Sequence, residues 1–290
     1  MNISEENLKK LKALNNEKVM DLVEKAVDLC KPEKVTVITD DKEDVNYVRQ
    51  LALDNEEEKP LALEGHTYHF DGINDQARDK AHTSYLLKEG ENLGLDINSV
   101  EREEGLKEVL SYLDGSMKGK EMLVRFFSLG PNNSPFSIPA MQITDSAYVA
   151  HSEDILYRIG YEDFKLLNGS EDFFYFLHSA GRLENGVSAD IDKRRIYIDF
   201  YEDRVFSVNN QYAGNSVGLK KLAFRLAIKK ASREDWLAEH MFVSGVHGPD
   251  GRITYFTGAF PSAFGKTSTA MIPGNSVVGD DIAYLKIIDD

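Results

Sequence analysis

The stretch that most constrains this chain runs from an apolar segment, Ile253-Thr254-Tyr255-Phe256-Thr257, into Gly258-Ala259-Phe260-Pro261-Ser262-Ala263-Phe264-Gly265-Lys266-Thr267-Ser268. It continues into Thr269-Ala270-Met271-Ile272. A β-branched and aromatic run predicts a strand, and Ser268 to Ile272 can start a helix. Strand, tight loop, Gly-Lys-Thr and helix form the layout of a phosphate-binding loop. There, successive backbone N–H groups and the positive end of a helix cradle phosphates. A lysine adds a movable positive charge, and a threonine hydroxyl can ligate a phosphate-bound metal. The fit departs from the common pattern at its first glycine, whose position is taken by Phe260. An incidental Gly-Lys-Thr in a surface loop contains the same tripeptide, and these residues alone leave both readings open.

The remaining chain is compatible with an α/β enzyme. Its 290 residues suffice for one large domain or two ordinary ones. No apolar run approaches the length of a membrane span, and the polar start, Met1 to Lys10, does not read as a signal peptide. The single cysteine, Cys30, excludes an internal disulfide and points to a reducing, cytoplasmic setting. A net charge of −15 argues against nucleic acid as the main partner. It leaves room for a basic cleft that takes phosphorylated substrates.

Local pattern predicts two amphipathic helices over residues 4–30, with Val19, Met20, Leu22, Val23, Ala26 and Val27 on one stripe. Val35–Thr39 reads as a strand, Glu43–Leu53 as a helix and Leu61–Leu63 as a short strand. Val100–Leu113 reads as a helix and Glu121–Leu129 as a buried strand. Ile155–Leu167 and Glu171–His178 read as helices, Arg195–Asp199 as a strand and Gly218–Ala231 as a helix. Phe242–Val246 and Ile253–Thr257 read as strands joined by the turn His247–Gly251. The fold class expected is α/β: a mixed-sheet N-terminal domain over residues 1–235, then the start of a nucleotide-binding domain with a phosphate loop over residues 236–290.

Three further clusters could carry chemistry. Val277-Val278-Gly279-Asp280-Asp281-Ile282 is a short strand ending in carboxylates, which suits a metal beside a phosphate loop. Its spacing suggests a strand adjacent to the one that leads into the loop; a solvated strand end is the alternative. Tyr212-Ala213-Gly214-Asn215-Ser216-Val217-Gly218-Leu219-Lys220-Lys221 suggests a turn where backbone approaches a ligand, or a solvated helix start. His240, in Trp236-Leu237-Ala238-Glu239-His240-Met241, is a structural histidine or a ligand.

These segments together, with Met117-Lys118-Gly119-Lys120, Ser128-Leu129-Gly130-Pro131 and Thr144-Asp145-Ser146-Ala147-Tyr148-Val149, resemble the GTP-dependent phosphoenolpyruvate carboxykinase family. The blocks occur in the family's order over residues 117–282. The resemblance implies interconversion of oxaloacetate plus GTP with phosphoenolpyruvate, carbon dioxide and GDP, using a protein-bound manganese ion and magnesium or manganese on the nucleotide. It implies that Arg78 holds the substrate carboxylate, which a guanidinium fork can pair bidentately, and that Tyr212, Gly214 and Asn215 line the same pocket. Lys221, His240 and Asp281 are then the manganese ligands, the lysine binding through its neutral amine. Lys220 faces the transferred group, and Asp280 sits beside the metals. Pro261, Ser262, Ala263, Phe264, Gly265, Lys266, Thr267 and Ser268 hold the nucleotide phosphates, with Ser262 and Lys266 taking part in transfer and Thr267 on the nucleotide's metal.

The chain departs from the family in its loop, where Phe264 stands in place of a usual cysteine and Ser268 in place of an asparagine. It also stops where the resemblance expects further arginines, a lid and a guanine pocket. The resemblance implies a cytoplasmic monomer at full length, with neither nucleic acid nor membrane as a partner. The alternatives are a non-catalytic fragment that binds metal and substrate, a small-molecule kinase, and a carboxykinase that uses pyrophosphate or ATP.

Overall fold

A computed structural model describes residues 3–70, 72, 75, 79–212, 216–261 and 263–287. The chain divides into two compact units, residues 1–222 and 223–290. The division falls inside one helix, Ser216–Glu234, which ends just before the boundary expected at 235/236. No helix among the described residues is long and apolar enough to cross a membrane.

In the first unit the helices are α1 (Glu5–Lys12), α2 (Glu17–Cys30), α3 (Lys42–Asp54), α4 (Arg102–Leu113), α5 (Ala147–Leu156) and α6 (Tyr161–Leu166), followed by the start of α7 (Ser216–Glu234). The main strands are β1 (Lys34–Val37), β4 (Thr83–Leu87), β5 (Ser99–Glu101), β6 (Glu121–Leu129), β7 (Ile138–Thr144), β9 (Phe174–Ser179), β12 (Arg195–Asp199) and β13 (Arg204–Val208). Short pairs are formed by β2 (Lys59–Pro60) with β3 (Thr67–Tyr68) and by β10 (Leu183–Glu184) with β11 (Val187–Ser188); β8 (Arg158–Ile159) joins β6.

Local chemistry sets several element ends. The Ser4 hydroxyl accepts the Asn7 N–H at 3.2 Å to cap α1. The Asn16 side chain accepts the Val19 N–H at 3.1 Å to cap α2. The buried stripe of α2 is Val19, Val23, Ala26, Val27 and Cys30. It packs with α1, α4 and one sheet face around Met122, Val124, Phe126, Tyr175 and Phe206, and removing that apolar surface from water drives the layer together.

The strands form one mixed, nine-stranded sheet, ordered β1-β6-β7-β9-β13-β12-β4-β5 with β8 beside β6. Strand direction gathers distant residues at one end of it. β7 and β9 run parallel, as do β9 and β13, so Thr144, Ser179 and Val208 finish together. β6 is antiparallel to β7, which brings its start, after Lys120, to that end. β12 is antiparallel to β13, pairing Arg195 with Val208, and β4 is parallel to β12, pairing Thr83 with Ile196.

Two helix expectations are corrected here. Glu171–His178 is not a helix: Phe174–Ser179 is a strand buried along its whole length between β7 and β13. Ile155–Leu167 is not continuous: α5 ends at Leu156, β8 intervenes and α6 follows. Leu61 and Leu63 do not form a strand but lie exposed in the β2–β3 turn. Val100 belongs to a strand, and the helix expected there begins at Arg102.

The second unit continues α7 and adds β14 (Leu237–Glu239), β15 (Phe242–His247), β16 (Ile253–Gly258), α8 (Lys266–Ala270), β17 (Ser276–Gly279) and β18 (Ala283–Leu285). The expected hairpin is β15–β16, paired from Phe242–Gly258 to His247–Ile253. β17 does not lie next to β16 as expected: β15 stands between them in a three-stranded sheet. β14 pairs with β18, setting Glu239 opposite Ala283, and this register is what brings His240 to the acidic pair Asp280-Asp281.

Candidate active site

In the second unit, the chain leaves β16 at Gly258 and turns through the loop into α8. Phe264 N–H donates to the Pro261 carbonyl at 3.2 Å. Ala263 at φ 67° and Gly265 at φ 90° both take the left-handed region, which costs a glycine little. These turns aim Lys266 inward: it is buried, whereas Pro261, Ala263, Thr267 and Ser268 are exposed and Phe264 is 74% exposed. Ser262 lies outside the described residues.

The inward lysine meets the carboxylates that follow β17. Lys266 Nζ is 2.9 Å from Asp281 Oδ1 and 3.4 Å from the Asp281 carbonyl. His240 Nε2 is 2.9 Å from the same Oδ1, and its ring lies 6.2 Å from that of Phe224 on α7. Thr267 Oγ1 donates to Asp280 Oδ2 at 3.1 Å. The loop, His240 and both aspartates thus share one locus, although His240 and Asp281 are far apart in sequence. Among the described residues no group of three or more His, Cys, Asp and Glu side chains has ligand geometry. An imidazole nitrogen and a carboxylate oxygen that meet are nonetheless a donor pair suited to a borderline divalent cation. The Lys266 ammonium marks the side of Asp281 where positive charge is stabilised. The residues present offer such a cation two donors, His240 and Asp281, with Asp281 Oδ1 held here by the Lys266 ammonium.

In the first unit, the end of the sheet carries a dense polar network. Asp145, fully buried, accepts Lys120 Nζ at 2.7 Å, Ser179 Oγ at 2.8 Å and the Ala180 N–H at 2.8 Å. Lys120 also donates to the Gly181 carbonyl at 2.6 Å. His178 bridges Thr144 Oγ1 at 2.8 Å and the Asn210 carbonyl at 2.6 Å. Burial pushes the His178 imidazole below its ordinary value, so it is neutral, with Nε2–H donating to Asn210 and Nδ1 accepting from Thr144. These bonds fix the strand end that leads through Gln211 to the half-buried Tyr212. Lys220 and Lys221 lie half-buried on the first turns of α7. Arg78, Gly214 and Asn215 lie outside the described residues.

Asp75, Asp79 and Arg194 went unnoticed in the sequence. Arg194 Nη2 is 3.1 Å from Asp75 Oδ1 and Nη1 is 3.3 Å from Asp79 Oδ2. Asp79 also takes His82 Nδ1 at 2.7 Å and the His82 N–H at 3.1 Å. Burial would raise the Asp79 pKa, but the His82 bonds outweigh it and hold the carboxyl below its usual range. The only sequence signal was the basic run Lys193-Arg194-Arg195, which reads equally well as surface charge.

Comparison with known proteins adds a family to this geometry. Residues 21–232 match the model of the phosphoenolpyruvate carboxykinase N-terminal domain, and residues 236–290 match the phosphoenolpyruvate carboxykinase C-terminal P-loop domain. The chain is 54% identical over 288 residues to a phosphoenolpyruvate carboxykinase [GTP] of Pyrococcus abyssi, covering 99% of this chain and 46% of that protein. It is 55% identical over 284 residues to one of Thermococcus kodakarensis, covering 98% and 45%. It is 33% identical over 290 residues to one of Anaeromyxobacter sp. strain K, covering 95% and 47%. The chain spans about half the length of the curated relatives it matches.

Proposed function

The chain belongs to the phosphoenolpyruvate carboxykinase family, and from that premise we propose that it serves the reaction of oxaloacetate and GTP to phosphoenolpyruvate, carbon dioxide and GDP. The observation that carries the reading is the convergence of Lys266 and His240 on one oxygen of Asp281, with Thr267 on Asp280 beside it. A phosphate loop, an imidazole and two carboxylates in one place suit phosphoryl transfer, where positioning and charge do most of the work.

In this reading Arg78 pairs with the carboxylate of oxaloacetate, and Tyr212, Gly214 and Asn215 line that pocket. Lys221, His240 and Asp281 hold a manganese ion, which supplies Lewis-acid polarisation when bound. Residues 261–268 receive the nucleotide phosphates through backbone N–H groups, and Thr267 ligates the nucleotide's magnesium or manganese. As carbon dioxide leaves, the electron pair of the broken carbon–carbon bond becomes the enolate, whose oxygen attacks the γ-phosphorus in line while GDP departs. Lys266 and Lys220 offset the charge of the transferring group, with Ser262 positioning it. The family match and the charge arrangement support these roles. The protein is proposed to work in the cytoplasm as a monomer.

The test is steady-state formation of phosphoenolpyruvate from oxaloacetate with manganese and, in turn, GTP, ATP or pyrophosphate. Turnover with GTP supports the reading. Turnover with ATP or pyrophosphate alone points to the other donor, and binding of manganese and phosphoenolpyruvate without turnover points to a binding role.

A further inference from the structure

Arg194 joins three stretches of chain that the sequence keeps apart. Its Nη2 holds Asp75, its Nη1 holds Asp79, and its Nε donates to the Asn209 carbonyl at 3.3 Å. Asp75 and Asp79 flank, in sequence, the segment that contains Arg78. Asn209 follows β13 on the way to Tyr212, and it is tied back by its own Nδ2, which donates to the Lys193 carbonyl at 2.9 Å. The second oxygen of Asp75 accepts the Ser188 N–H at 3.1 Å and lies 3.5 Å from Gln211 Nε2. One guanidinium therefore fixes both approaches to residue 78 and the approach to residue 212.

The cluster is poorly suited to be a stability device. The Arg194 side chain is 3% exposed and that of Asp75 is fully buried, and a buried ion pair commonly adds no more stability than well-packed apolar side chains. It adds direction. A planar fork with donors on separate nitrogens sets two carboxylates at a fixed separation, which a single ammonium cannot do. We infer that Arg194 is a positioning residue for the substrate pocket: it holds Asp75 and Asp79, on either side of residue 78 in sequence, to the chain that leads into Tyr212, where a small, doubly anionic organic acid is bound. This rests on the substrate reading proposed above.

The experiment is titration calorimetry of phosphoenolpyruvate, with manganese present, on wild type, Arg194→Lys and Asp79→Asn, with manganese affinity measured separately by electron paramagnetic resonance. The expected result is a dissociation constant for phosphoenolpyruvate raised roughly tenfold or more, the scale of a misplaced binding group, while manganese affinity and circular dichroism stay at wild-type values. If Arg194→Lys does not fold, Asp79→Asn decides by the same criterion, since Asp79 is partly exposed and lies at the rim of the cluster. Wild-type affinity for phosphoenolpyruvate in the folded variants, or parallel loss of manganese and phosphoenolpyruvate binding, overturns the inference alone. A wild type that does not bind phosphoenolpyruvate overturns the proposed function and this inference with it.

Discussion

Lys266 Nζ lies 2.9 Å from Asp281 Oδ1, so the lysine of the phosphate loop is held by a carboxylate that follows the next strand. The contact orients the ammonium before any phosphate arrives, and a group held in place needs no reorganisation when charge develops. Lys266→Met is expected to lower turnover by roughly a hundredfold or more, the scale of losing one electrostatic stabiliser. Initial rates at saturating oxaloacetate check this; a variant with near-normal turnover would remove Lys266 from the mechanism.

Asp281 is contacted by His240 as well, which makes the pair sensitive to loss of either partner. His240→Phe and Asp281→Asn are each expected to weaken manganese binding by at least about tenfold, the lower end of what disturbing a metal's surroundings costs. Titration followed by electron paramagnetic resonance gives the number. Unchanged manganese affinity in both variants would place the ion elsewhere.

Glu153 on α5 is buried with Arg125, and burial pushes its carboxyl well above the usual range even against the arginine's charge. The native state therefore keeps a proton that the unfolded chain releases above its ordinary carboxylate pKa. That contribution to stability is full below the unfolded value and is lost as pH rises toward the native one. Glu153→Gln, which cannot ionise, should gain in melting temperature over wild type between about pH 5 and about pH 8. Parallel melting curves across that range would contradict the assignment.

Asp44 behaves in the opposite sense. Burial would raise its pKa, but bonds from the Thr39 hydroxyl and N–H and from Lys10 Nζ hold it below the usual range. Its contribution is present above the unfolded value and fades as pH falls through the folded one. Asp44→Asn is expected to cost about 1–3 kcal/mol near neutrality, as a charge-assisted bond does, and much less in acid. Urea denaturation at the two pH values measures the difference.

Gly160 packs against backbone. A Cβ there would come within 2.7 Å of the Phe127 carbonyl carbon and 2.9 Å of its Cα, atoms of β6 that cannot move without disturbing the sheet. Gly160→Ala should destabilise by about 1–3 kcal/mol through overpacking. A midpoint equal to wild type in chemical denaturation would show that the strand gives way easily.

The amino-acid sequence by itself determined what depends on short-range pattern. The stripe of α2, the buried strand Glu121–Leu129, the hairpin Phe242–Gly258 and the strand–loop–helix around Lys266 were legible because period and turn residues act between near neighbours. Phe174–Ser179 was not legible: its aromatic run has no helical or alternating period, and only its place between two parallel strands, buried on both faces, makes it a strand. The site divides in the same way. Lys266 and Thr267 stand in a contiguous loop and Asp281 at the end of a short apolar strand, whereas the ligand role of His240 beside Asp281 came only through resemblance. That His240 and Lys266 share one oxygen follows from the β14–β18 register and the turn at Gly265. Asp75 and Asp79 carried no signal and Arg194 only an ambiguous basic run, because a charged residue looks the same in sequence whether solvated or buried. The directions of β4, β12 and β13 bring them together, and strand direction is a property of long-range pairing that no local window contains.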